Sequence, residues 1–172
     1  EAHALWLHVD GAHGASALLS THHRHRLAGI GEADSLAWDP HKMLGLPLAA
    51  GCLLVRDEAR LDAAFSQDAA YLFHDRDARP YDQGPRSFQC SRRGDALKLW
   101  VAWQRHGTAG LGALYDRLCA TTRSLLAAVD DHPRFAPLHE PECNILCFAH
   151  AGGDDARLRA AWNAGGDGWL SL

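Results

Sequence analysis

The chain has 172 residues, 47% of them hydrophobic, and a formal net charge of −4. That is enough apolar material for a packed core and too little charge bias for a disordered chain. No basic stripe marks a nucleic-acid surface, and no apolar run nears the roughly 20 residues that a helical membrane crossing needs.

In chain order, residues 5–9 are apolar apart from His8 and read as a short buried strand of a parallel sheet, ending at Asp10. Gly11 and Gly14 make a turn into a helical stretch at 15–19. A basic, His-rich turn with His22, His23 and His25 follows, and Leu27, Ile30 and Ala33 face the core. Residues 35–38 form a second strand. Pro40 ends it, because proline lacks an N–H and restrains Asp39 to an extended shape. Residues 48–55 read as a third strand, broken at Gly51.

Asp57 caps a helix running to about Phe65. Residues 66–95 are rich in Asp, Arg, Pro and Gly, an aperiodic length that marks a functional or mobile segment. Asp95 caps the next helix, with Leu97, Trp100, Val101 and Gln104 on one face and Gly107 as its stop. Thr108 opens a longer helix whose Leu111, Leu114, Leu118, Thr122, Leu125 and Val129 make one stripe, closed by Pro133. Residues 135–138 and 144–149 read as strands, and 154–164 as a helix closed by Gly165 and Gly166. Residues 168–172 look like the opening of another strand, so the chain reads as an internal piece of a longer protein.

Five cysteines (Cys52, Cys90, Cys119, Cys143 and Cys147) are odd in number and irregular in spacing. They read as reduced core thiols of a cytoplasmic protein. Cys143 and Cys147 on one strand, with no second pair nearby, are poor zinc ligands. His8, Asp10 and His13 also allow a three-ligand metal site, but that site gives Lys42 and the turn before it no role.

The chemistry gathers at two strand ends, Leu7-His8-Val9-Asp10-Gly11-Ala12-His13-Gly14 and Asp39-Pro40-His41-Lys42. Ligands in open α/β sheets bind at the carboxyl ends of strands. Asp10 there reads either as a cap on the turn or as an ion-pair partner for a protonated ring nitrogen. Lys42, hemmed in by Pro40, Met43, Leu44 and Leu46, reads either as a snorkelling turn lysine or as an amine that forms an imine with an aldehyde. An acid and a lysine so placed are what a pyridoxal phosphate enzyme needs. The lysine holds the aldehyde, and the acid keeps the pyridine nitrogen protonated so that the ring accepts electrons.

With those residues stand Trp6 to Ala12, Arg24-His25-Arg26-Leu27-Ala28-Gly29-Ile30, Ala33-Asp34-Ser35, Asp39 to Met43, Tyr71-Leu72-Phe73, and Gln89-Cys90 leading through Arg93 and Asp95 to Leu99-Trp100. In these stretches the chain resembles the group II pyridoxal-phosphate-dependent amino acid decarboxylases, in their glutamate and cysteine sulfinate branch. The resemblance implies an α/β fold. Residues 1–107 would be the C-terminal part of a fold type I large domain with a mostly parallel sheet. Residues 108–132 would be a connecting helix, and 133–172 the start of a small α+β domain.

It further implies pyridoxal 5'-phosphate as cofactor, with Lys42 as the Schiff-base lysine and Asp10 on the pyridine nitrogen. Ala12 would lie against the ring face and His41 beside the cofactor. Tyr71, in a loop over the site, would return a proton to Cα after CO2 leaves. The implied reaction is α-decarboxylation of an L-amino acid, with an acidic one preferred, in a homodimer with shared sites. No membrane or nucleic-acid partner is implied. Gly11 replaces a usual alanine, His13 stands where an aromatic is frequent, and Asp39 takes a position that is Asn in several members, close to where a phosphate would approach. Carbon–carbon lyases and transaminases of the same fold type place an Asp and a Lys alike, and an inert fragment is a third reading.

Overall fold

The computed structural model describes residues 5–65, 83–89, 91–166 and 168–171. The chain divides into two compact units, one ending at Tyr115 and the other beginning at Asp116.

In the first unit, β1 (His8–Asp10), β2 (Ser35–Trp38) and β3 (Cys52–Val55) form a sheet in that order. β1 and β2 run parallel, with His8 opposite Ser35 and Asp10 opposite Ala37. β3 runs antiparallel to β2, with Ser35 opposite Val55 and Trp38 opposite Cys52. It is four residues long, against the eight expected at 48–55. The missing half lies in the connection from 44 to 51, where Pro47 has no N–H to give a ladder.

Between β1 and β2 the expected helix is a 3-10 helix, Gly14–Leu19. Its Ala15, Ser16 and Ala17 are buried, and Trp38 Nε1 donates to Ser16 Oγ at 2.8 Å. Small side chains here let the turn lie flat on β2. The limit is Gly11, where a Cβ would come within 2.7 Å of Leu36 Cδ1, 2.9 Å of Ala15 Cβ and 3.1 Å of Ala37 O. The glycine at position 11 therefore has a packing reason. In the histidine-rich turn, His22 and His25 are exposed, but His23 is half-buried with its ring edge-on to Tyr115 at 5.5 Å. That residue is a packing group, not part of a wet surface.

On the opposite sheet face, Trp6 Nε1 and His8 Nδ1 share Ser35 Oγ at 2.9 and 2.7 Å. α1 (Pro40–Met43) follows β2, and α2 (Glu58–Phe65) follows β3, with Asp57 Oδ1 accepting from Ala59 N at 3.0 Å. Arg86 bridges back to α2 through Asp62 at 2.6 Å and Glu58 at 2.8 Å.

α3 (Ala96–Asp130) is interrupted at Gly107, whose φ of 61° and ψ of 176° are non-helical. A left-handed φ costs glycine least, which is why the break falls at that residue. Before it, Leu97, Trp100 and Val101 form an exposed apolar stripe. After it, Leu111 and Tyr115 are buried, and a Cβ at Gly112 would collide with the Leu19 carbonyl.

In the second unit, β4 (Phe135–Pro137) and β5 (Phe148–His150) pair antiparallel, and Phe135 packs on the rings of Phe148 and His150 at 5.5 and 5.4 Å. β5 is shorter than the strand expected at 144–149. α4 (Asp155–Gly165) is capped by Asp154, whose side chain accepts from Arg157 N at 2.9 Å, and ends at Gly166 with φ 79°. Residues 168–171 form no strand. Leu170 is instead held through its N–H and C=O by the Asn163 amide at 2.7 and 3.0 Å.

Candidate functional site

Parallel pairing places the carboxyl ends of β1 and β2 side by side on one edge of the sheet, and each end delivers one candidate. Asp10 is the last residue of β1 and is exposed. Its Oδ1 accepts from Ala12 N at 3.0 Å, which is the turn-capping role. Oδ2 has no partner among the described residues, so the same carboxylate also keeps a free acceptor. The two readings of Asp10 are thus compatible. Ala12 is half-buried, and its carbonyl accepts from Asp39 N at 3.0 Å. That bond ties the turn after β1 to the turn after β2.

α1 is a single turn with Pro40 at its first position, where a missing N–H is harmless. It is closed by Lys42 N to Asp39 O at 2.9 Å and Leu44 N to Pro40 O at 3.1 Å. Pro40, Met43 and Leu44 are buried, which fixes the turn. Lys42 itself is not hemmed in. Its side chain is 41% exposed, and Nζ lies 2.9 Å from Asp39 Oδ2. The apolar neighbours face the core and leave the lysine on the open side. Asp39 pairs with the amine, a partnership its i, i+3 spacing signalled.

His41 bonds to the backbone that leads into β3. Its Nδ1 lies 2.8 Å from Ala50 O and 3.2 Å from Ala50 N, so it braces the segment leading into β3. That segment has a second brace that the motif search did not single out. Lys98 Nζ donates to Leu48 O at 3.1 Å and Ala49 O at 2.8 Å, and pairs with Asp95 at 2.7 Å. Asp95 therefore holds Lys98 in addition to standing at the start of α3. The hydrogen bond from Lys98 is the main reason its carboxyl sits below the usual range, with Lys98, Arg93 and Arg92 charges adding to it. The chain has only two lysines. Lys98 is spent on two carbonyls and a carboxylate, which leaves Lys42 as the amine open to a ligand.

Cys52, on β3 beside this turn, has its thiol pushed up in pKa by burial first and by the Asp39 charge second, so it stays a neutral packing group. A cleft of about 870 Å³ lined by Pro40, Gly51, Cys52, Gln89, Arg93 and Asp95 adjoins the site, but neither Asp10 nor Lys42 lines it. The chemistry lies at the sheet edge and the cleft is its neighbour. Tyr71 and Cys90 lie outside the described residues. His8, Asp10 and His13 do not form a metal-binding group, and no cluster of three or more such ligands occurs among the described residues. No helix among them is long and apolar enough to cross a membrane.

The donor set fits pyridoxal 5'-phosphate. It includes an accessible amine, Lys42, of the kind an aldehyde needs, and a carboxylate oxygen of Asp10 that could accept from a pyridine N–H.

Comparison with known proteins agrees. Residues 1–151 match the pyridoxal-dependent decarboxylase conserved domain. The acidic amino acid decarboxylase GADL1 of Bos taurus is 44% identical over 151 residues, covering 86% of this chain and 29% of that protein. Cysteine sulfinic acid decarboxylase of Rattus norvegicus is 43% identical over 149 residues, covering 85% and 30%. The chain thus spans about 30% of the length of these curated relatives. Among solved structures, mouse CSAD superposes with a TM-score of 0.76 at 41% identity, over 85% of this chain and 30% of that one. Oryza sativa TDC with PLP and tryptamine superposes with a TM-score of 0.86 at 27% identity, over 98% and 37%. These matches agree with the α/β reading of the sheet edge, and the chain belongs to the pyridoxal-dependent decarboxylase family.

Proposed function

We propose that the protein is a pyridoxal-phosphate-dependent carboxy-lyase that removes CO2 from the α-carbon of an L-amino acid. The observation that carries this reading is that an accessible amine, Lys42, and a half-free carboxylate, Asp10, follow the carboxyl ends of adjacent parallel strands. Bound there, pyridoxal 5'-phosphate supplies an electron sink for the pair left on Cα when CO2 departs.

The chain's own residues have separate tasks. Lys42 Nζ would hold the cofactor through its aldehyde carbon. The Asp10 carboxylate would keep the ring nitrogen protonated, an ion pair worth roughly 1 to 3 pKa units on that nitrogen. Ala12 would lie against the ring face. His41 fixes the wall beside the cofactor through its bonds to Ala50. Tyr71 donates its phenolic proton to Cα.

An acidic substrate is favoured because relatives named for acidic amino acids and cysteine sulfinic acid are 43–44% identical, whereas the tryptamine-bound Oryza sativa structure is 27% identical. We assign residues 1–107 to the cofactor domain, 108–132 to a connecting helix and 133–172 to the start of a small domain. A homodimer in the cytoplasm completes the reading. Cys52, Cys119, Cys143 and Cys147 are thiols, as a reducing compartment would keep them.

The test is product analysis of the full-length protein, loaded with cofactor, on aspartate, glutamate, cysteine sulfinate, tyrosine and tryptophan. CO2 and amine in equal amounts from an acidic substrate are expected. Keto acid without CO2 would favour a transaminase, and faster turnover of tyrosine or tryptophan would overturn the substrate class.

A further inference from the structure

Lys98 is committed to three acceptors. Its Nζ donates to Leu48 O at 3.1 Å and Ala49 O at 2.8 Å, and pairs with Asp95 Oδ1 at 2.7 Å. An ammonium has three N–H groups, so these contacts account for all of them. The two carbonyls lie 50 and 49 residues earlier in the chain, on a segment with little packing of its own. Gly45, Pro47, Leu48 and Ala49 are exposed there. Ala50 is buried and sits against His41, whose Nδ1 lies 2.8 Å from its O and 3.2 Å from its N. The next residue, Gly51, faces Asp39, where a Cβ would stand 3.0 Å from Oδ1. The segment that Lys98 holds thus meets the turn carrying Lys42 at two points, His41 and Asp39.

We propose that Lys98 is a positioning residue for the cofactor site: by clamping Leu48 and Ala49 it seats Ala50 against the His41 ring and so sets the wall beside Lys42. This rests on the reading of Lys42 as the cofactor lysine. The turn α1 is fixed separately, by buried Pro40, Met43 and Leu44, so loss of the clamp leaves Lys42 where it is. What loosens is the wall. An exposed segment with few buried side chains opens at low cost in free energy. Each opening carries Ala50 away from His41, and the imidazole loses the bonds that set its orientation. A charged donor suits the clamp, because its bonds to carbonyls are stronger than neutral ones and Asp95 keeps the amine from turning to water. Lys98 acts on the cofactor through Ala50 and His41, and touches no reacting atom itself.

A double-mutant cycle on the full-length protein tests the relay, with Lys98→Met, His41→Phe and the two combined. Amide exchange at Ala50 is read on cofactor-free protein. The Kd for pyridoxal 5'-phosphate and the visible circular dichroism of the bound ring are read on titration. K98M is expected to speed exchange at Ala50 and to raise the Kd, each about three- to tenfold, as for residues that act through a contact network. The dichroism should change in K98M and in H41F. The double variant should lie within about twofold of H41F in Kd, because both changes break one chain of contacts. Asp95→Asn, which releases Lys98 but keeps its charge, should shift exchange and Kd in the same direction, and carries the test if K98M does not fold. Wild-type exchange and dichroism in the clamp variant overturn the proposal. So do effects of K98M and H41F that multiply in the double variant, and so does an H41F protein that binds cofactor as wild type does. Borohydride reduction of loaded wild type tells the two readings apart. A label on Lys98 overturns the cofactor assignment and the relay with it, whereas a label on Lys42 beside multiplying effects overturns the relay alone.

Discussion

Two connections meet at the site edge, and they are held by different physics. The one after β1 is packed: Gly11 has no room for a methyl, and Ala15, Ser16 and Ala17 are buried. The one between α1 and β3 is mostly exposed at Gly45, Pro47, Leu48 and Ala49. Polar bonds from His41 and Lys98 hold it. Close packing at Gly11 anchors the turn that begins at Asp10, since added volume there has nowhere to go. Hydrogen bonds with solvent nearby hold the second connection less tightly than packing would.

The comparison is sharpened most strongly by removing charge from the packed side without touching its packing. Asp10→Asn keeps an oxygen for Ala12 N, so the fold should survive. Turnover of the loaded full-length enzyme should fall by roughly one to three orders of magnitude, matching the 1 to 3 pKa units the pair is worth. Steady-state kinetics beside a denaturation curve separates the two effects.

Gly11→Ala attacks the packing itself. The new methyl meets Leu36, Ala15 and the Ala37 carbonyl at 2.7 to 3.1 Å, so overpacking should cost about 1–3 kcal/mol in urea denaturation. An unchanged midpoint would mean that the turn is looser than its contacts indicate.

Lys98→Met attacks the polar side. It leaves the Leu48 and Ala49 carbonyls to water and should cost only about 1 kcal/mol, while speeding proteolytic cleavage within residues 45–51. Acid should loosen the same clamp. The Asp95 carboxyl is held below its ordinary value, so its contribution is present above the ordinary carboxylate range and is lost as pH falls through the lowered value. Amide exchange of residues 48–50 followed from neutral to acid pH checks this.

Much of the architecture was legible because local rules and packing agree. β2 at 35–38, the break at Gly107, the Asp57 cap and the stop at Gly166 all follow from capping, glycine and periodicity. The short third strand was not legible, because residues 48–51 have strand-like composition and are claimed by His41 and Lys98, contacts of 9 and 49–50 residues' separation. The exposure of Lys42 was misread for a related reason. Apolar neighbours in sequence suggest burial, but on a single helical turn Pro40, Met43 and Leu44 take the inner side and leave the lysine outside. The neighbouring ends of β1 and β2 were legible because parallel strands bring their carboxyl ends to one edge.

Borohydride reduction of the cofactor-loaded, full-length protein, followed by peptide mapping, tests the central claim most directly. The account predicts a pyridoxyl group on Lys42. A label on Lys98, or a protein that keeps its cofactor with neither lysine labelled, would contradict it.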